Sequence, residues 1–303
     1  LPQGDHSKLK PKDRTQLAKK YGGLVVTGDW VNPTYTIFDH GGGQAPEMFR
    51  ETFVGLLGSN KSKVAFQQGK YGAGGTGSIS FCDNGIQLII SRRNPKINDG
   101  SLSDDYGFTV TRKFEPTGNE KNPTVRYLVI DNEIPSFSAD KPLKLLPKEN
   151  NKFPCVEDWH HGAFIKLYDY DIGAGLRARG STDLERKLSV RLLDPIFPVR
   201  IYERRATNKK SPESTMNGLR TRLTADNANV LEPQSPYGLT LSIEGQQIDV
   251  EIYVLKDMYQ LPNGKEKKVD HQKWHGKEGI IFEMNGQLNG SLDNSFYKKA
   301  NLT

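Results

Sequence analysis

The stretch Tyr35-Thr36-Ile37-Phe38-Asp39-His40-Gly41-Gly42-Gly43-Gln44 decides how the chain is read. Its β-branched and aromatic residues predict a strand, which ends in a carboxylate followed by D-x-G-x-G, here Asp39, Gly41 and Gly43. A carboxylate at a strand end can accept a hydrogen bond from an exocyclic amine. The glycines let the backbone approach a flat ring and take up positive φ. Taken alone, ordinary Asp-x-Gly turn chemistry is the better explanation. The neighbouring sequence changes that balance.

Working outward, Lys12–Tyr21 predicts a short helix ended by Gly22-Gly23, and Leu24–Thr27 a strand preceding the quoted one. Beyond it, Met48, Phe49, Phe53, Leu56 and Leu57 follow helical spacing behind Pro46, a residue suited to a first turn. A polar segment, Gly58–Lys63, then leads to a second glycine cluster, Gly69-Lys70-Tyr71-Gly72-Ala73-Gly74-Gly75-Thr76-Gly77. Five glycines in nine residues are entropically costly to order. Such a loop suits close approach to an anion, with backbone N–H groups holding phosphates. It is neither a Walker A loop, lacking Gly-Lys-Ser/Thr, nor a dinucleotide fingerprint, lacking the βαβ context.

Further along, Ile79–Cys82, Gln87–Ser91, Phe108–Lys113 and Val125–Ile130 predict strands of an antiparallel meander. Lys141–Phe153 predicts a basic connector, Ala163–Tyr168 a strand, and Thr182–Leu193 a helix stopped by Asp194-Pro195. Strands are predicted again at Val199–Arg204, Leu239–Ile243, Gln247–Leu255 and Gly279–Glu283. A boundary near residues 180–198 divides the chain into an expected domain 1–180 and a second, 181–303.

At this point the chain resembles the GHKL (gyrase, chaperone, histidine-kinase, MutL) superfamily of ATPases. Their first glycine box is a strand followed by D-x-G-x-G, and their second is a glycine-rich loop behind a mobile lid. Here Ser59-Asn60-Lys61-Ser62-Lys63 looks like the lid segment, and Gly162-Ala163-Phe164-Ile165 like the G-T-x-I strand that closes the pocket. The order and spacing match across residues 35–170. The resemblance implies an α+β fold, with a Bergerat-type α/β sandwich followed by a ribosomal-protein-like β-α-β transducer domain. It implies that Asp39 reads the adenine amino group, that Gly41 and Gly43 shape its wall, and that Gly69–Gly77 wraps the phosphates. Asn60 and Lys61 would close over the nucleotide, with Ala163 on its adenine side. The implied cofactors are ATP and Mg²⁺, and the implied behaviour is an ATP-dependent homodimeric switch clamping on DNA or a protein partner. In such transducers a lysine reaches the γ-phosphate, and Gln287, Lys298 and Lys299 lie in the corresponding region.

Two departures stand out. The family's E-x-x-x-N box, source of the water-polarising glutamate and the Mg²⁺-binding asparagine, is not found in the sequence. Because the chain begins at Leu1, the expectation is that this helix lies upstream. The alternative is a pocket that binds without hydrolysing. Ala163 also replaces the usual threonine, removing a hydrogen bond worth about 0.5–1.5 kcal/mol.

Composition sets the outer bounds. With 303 residues, 35% hydrophobic and 26% charged, the chain has material for a globular core and no apolar run long enough for a membrane span. Two distant cysteines, Cys82 and Cys155, argue against a disulfide framework and for a cytoplasmic setting. His160-His161 and His271…His275 lack the partners of a zinc set. A net charge of +6 permits nucleic-acid contact, although no basic and aromatic interleaving is apparent along the sequence. The rival expectation is a nucleotide-independent nucleic-acid- or partner-binding module whose glycine loops are merely turns.

Overall fold

The computed structural model describes residues 5–29, 31–53, 78–119, 121–144, 158–171, 184–205, 213–270 and 279–299. The protein is mixed α+β with a mostly sheet core. It divides into two compact units, one comprising Thr15–Glu185 and Val199–Thr215, the other Leu1–Arg14, Arg186–Pro198 and Met216–Thr303.

Helix α1 (Pro11–Tyr21) leads directly into β1 (Gly22–Gly28), and β2 (Pro33–Asp39) returns antiparallel to it. After the short helix α2 (Phe49–Thr52) come β3 (Gln87–Arg92), β4 (Tyr106–Phe114), β5 (Thr124–Tyr127) and β6 (Ser136–Phe137). Then follow β7 (Leu143–Lys144), β8 (Asp158–Trp159), β9 (Gly162–Leu167), helix α3 (Glu185–Arg191), β10 (Val199–Glu203) and β11 (Glu213–Met216). Among the described residues, nine of these strands form one sheet in the order β11-β10-β1-β2-β9-β3-β4-β5, with β6 also paired to β4. The β1–β10 pair is parallel and the pairs β1–β2, β2–β9, β9–β3, β3–β4 and β4–β5 are antiparallel.

Burial follows position in the sheet. Residues Gly22–Val26 of β1 are all buried, as expected of a central strand covered on both faces. Strand β3 alternates buried and half-buried residues, and β4 becomes exposed toward Phe114. One face packs Val25, Phe38, Tyr106, Trp159, Phe164 and Tyr202 into a core. The opposite face packs Ile89 with Phe49 of α2 and Ile134. Gly107 makes the approach of α2 possible, because a Cβ there would stand 3.0 Å from the backbone of Pro46.

Several predicted elements shift. Residues 78–79 are helical rather than extended, and Cys82 forms an isolated bridge with Tyr170, so Ile79–Cys82 is not a strand. Behind Pro46, a 3₁₀ turn and α2 account for the predicted helix as far as Thr52; Val54–Leu57 lies outside the described residues. The strand Val199–Arg204, expected within the second domain 181–303, is instead β10, parallel to β1 in the large sheet. Buried Ile201 and Tyr202 explain this, since their apolar surface is taken up by that sheet.

The other unit is built on hairpins: β12 (Tyr237–Ile243) with β13 (Gln246–Ile252), β14 (Met258–Gln260) with β15 (Glu266–Lys268), and β16 (Gly279–Met284) with β17 (Gln287–Asp293). Glu244-Gly245 and Asn285-Gly286 have positive φ at both positions, which matches the right-handed twist of two-residue hairpins. The core here is Leu193, Leu219, Leu223, Val230, Leu231 and Val269. Buried polar groups are tied in as well: Arg14 pairs with Asp226, and His6 Nε2 meets the Asn217 carbonyl at 3.1 Å.

Candidate nucleotide site

Asp39 closes β2 between two strands that begin with glycine. On one side Gly22 of β1 is its register partner, and on the other the start of β9 lies alongside. Gly22 has φ +130° and Gly162 has φ +120°. A Cβ would come within 2.2 Å of the Phe38 carbonyl oxygen at the first and 2.1 Å of the Asp39 carbonyl oxygen at the second. Both glycines are therefore required by close backbone packing around Asp39. The indole N–H of Trp159, itself 1% exposed, donates to the Asp39 carbonyl at 2.8 Å. The main chain of Asp39 is thus held from three sides.

Its carboxylate is exposed and oriented. Oδ1 accepts the Gly41 N–H at 2.8 Å and the Ala163 N–H at 3.3 Å. These bonds orient the side chain, while Oδ2 accepts no hydrogen bond from the described residues. A Cβ on Gly41 would sit 2.9 Å from Oδ1, so that glycine clears the turn.

The glycine loop is anchored in turn to β3. Gly43 has φ +59°, and a Cβ there would meet the Arg92 carbonyl oxygen at 1.8 Å. Fully buried Ser91 accepts the Gln44 N–H at 2.8 Å and donates to the Gly162 carbonyl at 2.7 Å, linking the loop to the start of β9. The Asn94 N–H donates to the Gly42 carbonyl at 2.8 Å, and His161 Nδ1 donates to the Gly41 carbonyl at 3.0 Å. The latter bond requires the Nδ1–H tautomer, because a carbonyl has no proton to give. His40 is half-buried, and burial lowers its pKa below the usual imidazole value against the opposing pull of Asp39. Cys82 is far from thiolate chemistry, with burial pushing its thiol up to about 11.

Of the residues singled out in the sequence, Asp39, Gly41, Gly43 and Ala163 come together here. Asn60, Lys61, Gly69, Lys70, Tyr71, Gly72, Ala73, Gly74, Gly75, Thr76 and Gly77 lie outside the described residues. Gln287 opens β17 and bridges Leu192, while Lys298 and Lys299 end the helix Asn294–Lys299; all three belong to the hairpin-built unit. Sequence reasoning missed Gly22, Ser91 and Trp159, and it named Gly162 only as the first residue of the G-T-x-I match. Among the described residues no group of three or more His, Cys, Asp or Glu side chains is gathered for a metal. No helix among them is long and apolar enough to cross a membrane.

No known family model matches the chain, and no curated protein matches it.

Proposed function

We propose that the chain binds ATP as a GHKL-type domain, with a Bergerat-like sandwich around Asp39. The observation that carries this reading is the Asp39 carboxylate: one oxygen fixed by the Gly41 and Ala163 N–H groups, the other presented outward beside a glycine-lined loop. That arrangement is competent to accept a hydrogen bond from the exocyclic amine of adenine. A charge-assisted bond of this kind is worth about 1.5–3 kcal/mol, and its geometry rejects a base carrying a carbonyl at that position.

In this reading Gly41 and Gly43 allow the ring to approach the backbone. The Ala163 N–H does part of the orienting work, so the missing threonine hydroxyl weakens the site without dismantling it. Gly69–Gly77 would cradle the phosphates, with Asn60 and Lys61 closing over them. Hydrolysis would need the water-polarising glutamate and the Mg²⁺-binding asparagine of the E-x-x-x-N box, which the resemblance places upstream of Asp39; a pocket that binds without hydrolysing is the alternative. Nucleotide-dependent homodimerisation and a contribution from Gln287, Lys298 or Lys299 follow from the resemblance and stand as further parts of the proposal.

Hydrogen exchange with and without a non-hydrolysable ATP analogue tests it. The amides of Gly41–Gln44 and His161–Ala163 are expected to slow together, along with those of 59–77. Protection confined to other segments would move the site elsewhere.

A further inference from the structure

The sheet face that ends at β4 and β5 carries a feature that nucleotide binding at Asp39 does not use. Arg112 and Arg126 stand directly opposite each other in the β4–β5 register, and both are exposed. Like charges facing each other across a ladder destabilise the pair. Neither guanidinium has a carboxylate partner among the described residues. Both rest instead on the Phe114 ring, at 5.4 Å and 4.7 Å from its centroid.

Strand alternation extends the pattern. Val110, Arg112 and Phe114 share this face of β4, and Leu88 of β3 and Lys166 of β9 lie in the Val110 row. The Lys166 ammonium sits 4.8 Å from the Tyr168 ring centroid, repeating the cation-on-ring arrangement. Among the described residues of β3, β4, β5 and β9 on this face, every charged side chain is a cation. Val110 and Phe114 are each 37% exposed and Leu128 is 42% exposed, so the surface beside the two arginines is open and apolar, whereas Leu88, between Val110 and Lys166, is half-buried against the core.

We infer that this face binds single-stranded nucleic acid, with Arg112, Arg126 and Lys166 taking phosphates and the Phe114 and Tyr168 rings, with their cations, receiving bases. Cations and rings interleaved over a sheet face are the chemistry that recognises an unpaired strand, whose bases are free to stack. An anionic membrane would be met by protruding apolar side chains. Here the cations share strand rows with the apolar residues, and Val110 and Phe114 are each only 37% exposed. The binding does not rest on the nucleotide site. The basic and aromatic interleaving invisible along the sequence arises because Arg126 is brought beside Arg112 by pairing and Lys166 joins from another strand.

The test is fluorescence anisotropy of a labelled thymidine oligomer of about 20 nucleotides, without added nucleotide, alongside a duplex of equal length and vesicles containing phosphatidylserine. Wild type should bind the single strand more tightly than the duplex. Exchanging both arginines, Arg112→Gln with Arg126→Gln, should weaken it at least about tenfold and lower the salt slope by about 1.4, since each phosphate contributes about 0.7. The pair Arg112→Lys with Arg126→Lys should keep the salt slope, and Phe114→Leu should weaken binding without altering it. Asp39→Asn should bind the oligomer as wild type does, which separates this result from the nucleotide proposal. No oligomer binding by wild type, an unchanged double variant, equal or tighter duplex binding, or arginine-dependent binding to vesicles alone would each overturn the assignment.

Discussion

At the residue scale, the candidate site depends on side chains that are absent. Gly22 and Gly162 flank Asp39 because any Cβ there would overlap its backbone or that of Phe38, and both occupy positive φ. Gly162→Ala is therefore expected to cost about 3 kcal/mol or more, combining left-handed strain with overpacking. Chemical denaturation should show a lower midpoint, accompanied by faster exchange of the Ala163 amide. An unperturbed protein would mean that β9 does not press on Asp39 as described. Asp39, Gly41 and Gly43 were legible in the sequence because the D-x-G-x-G spacing is local. The roles of Gly22, Gly162 and Trp159 were not, because they exist only through strand register. Gly22 in particular reads as a helix stop, which is true of α1 but conceals its place beside Asp39.

At the scale of elements, β-branched and aromatic content bounded by turn residues located β1, β2, β3, β4 and β9 to within a residue or two. It gave no partners. Pairing β2 with β9 joins residues more than a hundred positions apart, and no local pattern encodes that choice. The stretch Ile79–Cys82 misled because a short apolar run serves helix and strand equally well. In the hairpin-built unit, Arg220 ties distant elements together through Asp194 at 2.9 Å, Glu251 at 3.1 Å and Glu283 at 2.7 Å. Burial opposes its charge, but Glu283, Glu251 and Asp194 together raise its pKa. The side chain is 34% exposed, so solvent screens part of this, and Arg220→Met is expected to cost about 1–3 kcal/mol by leaving three carboxylates without their shared cation. Hydrogen exchange should accelerate in β13 and β16 while β1 and β2 keep their protection. Uniform loss across both groups, or no change in either, would count against Arg220 as a local tie.

At the scale of the whole molecule, the chain joins a large mixed sheet to a set of hairpins, and the functional chemistry assigned to it lies on the sheet. One end of β2 and β9 presents a fixed carboxylate beside a glycine loop, and the β4–β5 edge presents two arginines on the Phe114 ring that have no carboxylate partner among the described residues. Composition set the class of molecule, with a core large enough for globular folding and a modest positive charge. It could not say that strand Val199–Glu203 would join the large sheet, because a parallel partner must be found across the chain. The central claim is that Asp39 reads an amine on a purine ring. Calorimetric titration of wild type and Asp39→Asn with ATP and with GTP tests it most directly. Wild type should bind ATP and discriminate against GTP, and Asp39→Asn should bind ATP about 10–100-fold more weakly, matching the loss of a charge-assisted hydrogen bond. Equal ATP affinity for the two proteins would contradict the account.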